Sequence, residues 1–142
     1  WDPAHAAELA RLREELGLRD RVRLAGAVSD AERDALAREA AVFALATRYE
    51  GYGLVFDEAL ARGLPIVSCR TGAVPDTVPA DAGVLVPPED PAAFADALRI
   101  LLTDPARRAD MSAAAARAGR ALPSWHDTAL TAQRLLASLG RP

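Results

Sequence analysis

Ala41 to Cys69 reads AVFALATRYEGYGLVFDEALARGLPIVSC, and these residues decide the fold. Ala41-Val42-Phe43-Ala44-Leu45-Ala46 is a continuous apolar run, the pattern of a parallel strand covered on both faces. A polar loop follows from Thr47 to Gly53, and then a helical pattern from Leu54 to Arg62. Gly63 suits the position just past a helix end, and Pro65 prevents the helix from continuing. Leu64-Pro65-Ile66-Val67-Ser68-Cys69 is then a second strand. Strand, helix, strand within 29 residues implies a right-handed crossover and parallel pairing.

The flanks extend this alternation. Asp2-Pro3 pairs an N-cap residue with proline at the first helical position and opens a helix through about Leu16, stopped by Gly17. Arg21-Val22-Arg23-Leu24-Ala25-Gly26 alternates with period two, which predicts a strand. Ser29-Asp30-Ala31-Glu32 fits a capping box and starts a helix to about Glu39. Beyond Cys69, residues 70–79 read as a loop with room for one helical turn. Ala82 to Val86 is a short last strand. Asp90-Pro91, Asp104-Pro105 and Ser124-Trp125-His126-Asp127 then open three further helices. The fold class is α/β, a Rossmann-like parallel sheet with flanking helices.

In such a sheet, ligands bind beyond the carboxyl ends of the strands. The loop Tyr49-Glu50-Gly51-Tyr52-Gly53 is therefore the place to look. Two glycines before a helix let backbone amides approach an anion, and the helix N-terminus adds partial positive charge. Glu50 and Glu58 are eight apart, so a loop carboxylate and a helical one can face one crevice. An ionised carboxylate suits a vicinal diol and not a phosphate. On spacing alone two readings stay open. The glutamates bind sugar hydroxyls, or Glu58 and Asp57 merely favour the helix dipole with Glu50 solvated. Tyr52 is equally suited to stack on a ligand or to shield the loop. Trp125 reads as a packing anchor for the last helix, and Cys69 as a small buried hydrophobe.

Glu50-Gly51-Tyr52-Gly53-Leu54 through Glu58-Ala59, then Ala61-Arg62-Gly63-Leu64-Pro65-Ile66-Val67, resembles the Glu-x7-Glu signature of group 1 retaining glycosyltransferases. Thr71-Gly72-Ala73-Val74-Pro75-Asp76 is similar to that family's Gly-Gly-x-Pro-Glu loop, with alanine in place of one glycine. The resemblance continues through Gly83 to Pro88 and Ser124-Trp125, and so covers nearly the whole chain. It implies the C-terminal, donor-binding domain of a two-domain (GT-B) enzyme that uses a nucleotide-sugar donor and retains anomeric configuration. No cofactor and no metal are expected. Carried over, Glu50 is the catalytic-site residue that contacts donor-sugar hydroxyls, and Glu58 binds the ribose. Gly51, Tyr52, Gly53 and Leu54 lie against the sugar and phosphates. The family's phosphate-clamping Arg and Lys match no position here, so Arg48 and Arg70 receive no such role. A non-catalytic nucleotide-sugar-binding module and a same-fold sugar-nucleotide epimerase remain as alternatives.

Composition agrees with an ordinary globular domain: 142 residues, 51% hydrophobic, 26% charged, net charge -3. Nothing electrostatic recruits nucleic acid. All 17 basic residues are arginine, so an arginine by itself is no sign of a phosphate site. A single cysteine precludes an internal disulfide, and His5 and His126 are too isolated for a metal site. No apolar run approaches the ~20 residues of a membrane span, which fits a cytoplasmic protein. The resemblance places its relatives in bacterial polysaccharide or glycolipid assembly, a setting compatible with a parent peripheral to the inner membrane. The chain opens on Trp1 instead of Met. It is therefore expected to be a fragment or processed product, and the resemblance implies a longer protein whose saccharide or glycolipid acceptor binds a preceding domain. The usual 3-2-1-4-5-6 strand order would leave a gap between strand 21–26 and strand 41–46. The chain is then a piece of a longer protein, or its first strand re-pairs, or it self-associates through exposed sheet edges, and the piece alone is expected to be catalytically inactive.

Overall fold

The computed structural model describes residues 2–139, which divide into two compact units, one ending at Leu36 and one beginning at Ala37. In the first unit, α1 (Pro3–Glu15) starts at Asp2, whose carboxylate accepts from the Ala4 amide at 2.9 Å. After the helix, Arg19 donates to Glu14 at 2.9 Å, and this arginine holds the Glu14 carboxyl below its ordinary range. The expected strand over residues 21–26 does not form. Its alternation is real, but a strand needs a neighbour to take its amides and carbonyls. Among the described residues no strand pairs with it, and the Val22 carbonyl accepts only a long bond from Arg13 at 3.5 Å. α2 (Asp30–Glu39) begins with the reciprocal capping box: the Glu32 amide donates to Ser29 Oγ, and the Ser29 amide donates to Glu32.

The second unit is built on three parallel strands, β1 (Phe43–Leu45), β2 (Ile66–Cys69) and β3 (Gly83–Val86), in that spatial order. Ile66 stands opposite Phe43 on one side and Gly83 on the other. The crossovers carry α3 (Leu54–Ala61) and the single turn α4 (Val74–Thr77), and three helices follow: α5 (Pro91–Thr103), α6 (Pro105–Ala121) and α7 (Trp125–Leu139). All four β2 residues are buried, because the strand is covered on both faces. Ile66 joins Phe56, Leu60, Val74 and Ala115 in one core cluster, where Phe43 and Phe56 meet edge to face at 5.9 Å. Val67 joins Val86, Ala97, Leu101 and Met111 in the cluster on the other face.

α7 departs from expectation. It buries no residue, and Trp125 is 89% exposed, so within this chain Trp125 anchors nothing. The apolar periodicity of Leu135, Leu136 and Leu139 is genuine, yet these side chains are exposed too. No described helix is long and apolar enough to cross a membrane.

α6 packs on α3 through direct backbone approach at Gly119. A methyl there would strike the Leu60 carbonyl and stand 2.7 Å from Ala61 Cα. Ser112 Oγ adds a 2.6 Å bond to the Gly63 carbonyl. Gly119→Ala should therefore lower stability by about 1–3 kcal/mol through overpacking. The urea midpoint should fall accordingly, although alanine is the better helix former.

Candidate functional site

The carboxyl ends of β1 and β2 open into two loops, residues 46–53 and 70–73, each leading into a helix. Helix starts elsewhere in the chain are closed by side chains. Asp2, Ser29, Asp90, Asp104 and Ser124 each accept from a first-turn amide of their helix. α3 and α4 have no side-chain cap, and Gly53 and Ala73 occupy their N-cap positions. The two uncapped helices both start at the carboxyl edge of the sheet, where α5 also begins after β3 but with Asp90 as its cap. At α3 the consequence is concrete. Among the described residues, no hydrogen bond takes up the amides of Gly51, Tyr52, Gly53 or Leu54. Four consecutive donors beside a helix N-terminus are an arrangement suited to an anion.

Each predicted site residue falls at this edge. Glu50 is half-buried in the loop, and Gly51, Tyr52 and Leu54 are exposed beside it. Glu58 lies in the second turn of α3 on its solvent-facing stripe, with Leu54 and Val55, while Phe56, Ala59 and Leu60 point into the core. Burial on one stripe and exposure on the other follow from the helical period. Tyr52 and Leu54, 64% and 65% exposed, also line an open groove of about 490 Å³ with Asp57, Pro123, Trp125 and Thr128. Burial pushes the Asp57 carboxyl above its ordinary pKa. A comparable cavity of about 480 Å³, lined by Arg38, Arg62, Leu64 and Arg108 among others, lies at the opposite, amino edge of the sheet. Its position separates it from the strand ends where the loops gather. Of the arginines set aside on sequence, Arg48 stands 3.6 Å from Glu89 and Arg70 donates to the Leu85 carbonyl at 3.4 Å.

Two glycines shape the loop. Gly53 adopts φ +92, and a methyl there would come within 2.8 Å of the Phe56 ring and 3.4 Å of Glu50 Cγ. Gly72 adopts φ +50 and lies directly against the Glu50 backbone, where a methyl would overlap the Glu50 carbonyl. The alanine that replaces a family glycine is harmless, because Ala73 is in the right-handed helical region at φ -78. Its amide donates to the Glu50 carbonyl at 2.9 Å. Sequence reasoning noticed the missing glycine at 73 and passed over the retained one at 72. Nothing in the sequence places Gly72 against Glu50, since 22 residues separate them.

Gly72→Ala should cost about 1–3 kcal/mol and shift the Glu50 and Gly51 amide resonances, whereas Ala73→Gly should cost only about 0.5–1 kcal/mol and leave them in place. The Asp57 shift carries its own sign. A carboxyl whose folded-state pKa is raised destabilises the fold once it ionises, so this contribution is lost as pH rises from the ordinary value of 3.8. Asp57→Asn should flatten that decline, seen as urea midpoints compared at about pH 4 and pH 7.

Residues 2–118 match the family described as glycosyl transferases group 1. The chain is 40% identical over 135 residues to the D-inositol 3-phosphate glycosyltransferase of Kineococcus radiotolerans, and 40% identical over 131 residues to that of Xylanimonas cellulosilytica. Each match covers 89% of this chain but only 31% and 30% of those proteins, so the chain spans about a third of their length. Among solved structures, sucrose-phosphate synthase from Thermosynechococcus elongatus superposes with TM-score 0.84 and 32% identity, over 97% of this chain and 36% of that one. The C-terminal domain of a glycosyl transferase group 1 protein (LpcC) from Francisella tularensis gives TM-score 0.75 and 26% identity, over 82% of this chain and 61% of that one. The parallel sheet with flanking helices is the fold of GT-B glycosyltransferase C-terminal domains, and the chain belongs to the group 1 glycosyl transferase family.

Proposed function

We propose that residues 1–142 are the nucleotide-sugar donor-binding part of a retaining glycosyltransferase. The observation that carries this reading is the run of untaken amides from Gly51 to Leu54, set between a half-buried Glu50 and an exposed Glu58. The amides and the α3 N-terminus suit the donor diphosphate, which carries negative charge but no protons to give. The glutamates suit hydroxyl pairs, Glu58 on the ribose and Glu50 on the transferred sugar. This division needs neither a metal nor a cofactor.

In the whole protein, an acceptor hydroxyl oxygen bonds to the anomeric carbon as the bond from that carbon to the donor phosphate oxygen breaks. The departing phosphate takes the acceptor proton, and the acceptor enters from the face the phosphate leaves, so configuration is retained. Glu50 orients the sugar and stabilises positive charge developing on it. The acceptor is a saccharide or a lipid-linked group held by a preceding domain. Inositol 3-phosphate, named for two of the relatives, is one member of the hydroxyl-bearing class. Because the match spans a third of those proteins, the acceptor stays at that level. A cytoplasmic location, peripheral to the membrane that holds a glycolipid acceptor, follows from the same reading.

Ligand-observed NMR of the chain with UDP-, GDP- and ADP-sugars tests it. One nucleotide class should bind, weakly, with Kd around millimolar or ~4 kcal/mol, and Glu58→Ala should abolish the signal. Binding that survives this substitution removes Glu58 from the site and overturns the residue assignment.

A further inference from the structure

Thr71 and Thr77 stand outside every role assigned so far, yet both reach across to the loop that carries Glu50. Thr71 Oγ1 donates to the Arg48 carbonyl at 3.0 Å, and Thr77 Oγ1 lies 3.1 Å from the Tyr52 carbonyl. Between them the Ala73 amide donates to the Glu50 carbonyl at 2.9 Å. Carbonyls 48, 50 and 52 are therefore all fastened by the 71–77 segment, at every second residue. The untaken amides begin at Gly51, within the fastened stretch. A loop carrying two glycines and no cap would otherwise be free to rotate its peptide planes.

We propose that Thr71 and Thr77 are positioning residues, whose hydroxyls fix the 48–49 and 52–53 peptide planes on either side of Glu50 so that, with the Ala73 bond, the Gly51 and Gly53 amides and the Glu50 carboxylate are preset for the donor. This rests on the donor-site reading above for its ligand, but the fastening itself does not. Thr77 has a single hydroxyl proton and two carbonyls at 3.1 Å, that of Tyr52 and that of Ala73 in its own helical turn. The hydroxyl therefore couples the pose of Tyr52 to the integrity of α4. Both threonines are half-buried, and the Arg48 and Tyr52 carbonyls they meet belong to exposed residues.

The test uses the full chain with Thr71→Val, Thr77→Val, the double variant, and Thr→Ser at each position as the hydroxyl-retaining control. Amide hydrogen exchange at Ala73 reports the fastening, since its acceptor is the Glu50 carbonyl. Each valine should speed this exchange about five- to tenfold, with the core Ile66 amide unchanged and serine restoring the wild-type rate. Equal Ala73 exchange in wild type and both single valine variants overturns the proposal, and the single variants decide if the double fails to fold. Donor binding separates this idea from the one beneath it. If Glu58→Ala abolishes binding, the valine variants should weaken it about five- to tenfold, and unchanged affinity refutes positioning. If Glu58→Ala binds normally, the donor-site assignment fails while the exchange result still decides the role of the threonines.

Discussion

β2 is the constraint on which the rest of the second unit depends. Four residues, Ile66 to Cys69, are buried on both faces, and the strand is hydrogen-bonded on both edges. Such a strand tolerates no slip, because a shift of one residue would exchange Ile66 and Val67 between two different cores. Register then sets height. Ser68, the one buried polar side chain among the described residues, uses its hydroxyl to hold the Leu45 carbonyl at 2.8 Å, where β1 ends. The two strands thus finish at a common level, and the loops leaving them are forced side by side. The Gly72–Glu50 contact is the direct result.

At this edge two helices begin without caps, while α5, which follows β3, begins with one. A side-chain cap contributes about 1 kcal/mol, so leaving one out is a measurable cost. The chain places Asp or Ser at every other helix start, so its sequence has no general shortage of capping residues. The omission is confined to the edge where the family resemblance puts a charged ligand. Gly53 contributes a second cost there, since φ +92 orders a residue with many unfolded alternatives. These local costs are offset by the burial of Phe56, Leu60 and Val74 immediately behind the loops.

What was legible in the sequence was whatever local chemistry decides. Helix starts at Asp2, Ser29, Asp90, Asp104 and Ser124 were readable because a cap is a bond between residues two or three apart. The apolar runs of β1 and β2 were readable because apolar residues dominate both, although only β2 is fully covered and it holds a buried Ser68, while Ala44 of β1 is exposed. Residues 21–26 show the limit: alternation specifies which faces a strand would have, and says nothing about whether a neighbour exists to pair with it. Trp125 failed for a related reason. Its type and place suggested burial, but burial is a property of what surrounds it, and here it is 89% exposed.

Glu50 and Glu58 were proposed through resemblance, whereas the residues that hold the Glu50 loop in place were not. A ligand-contacting carboxylate sits in a recognisable motif; a threonine that holds a carbonyl 23 or 25 residues away has no local signature. The physical roles are nevertheless comparable. An amide donor is useful to an anion only when its peptide plane is fixed beforehand, because ordering it at the moment of binding subtracts from affinity. Three bonds at alternate carbonyls fix the planes of the Gly51 and Gly53 amides and of the Tyr49 amide before them, and the two glycines let the backbone take the required angles. Permissive residues make the shape accessible, and the threonine bonds make it persistent. The site depends on both, and only the first is written as a motif.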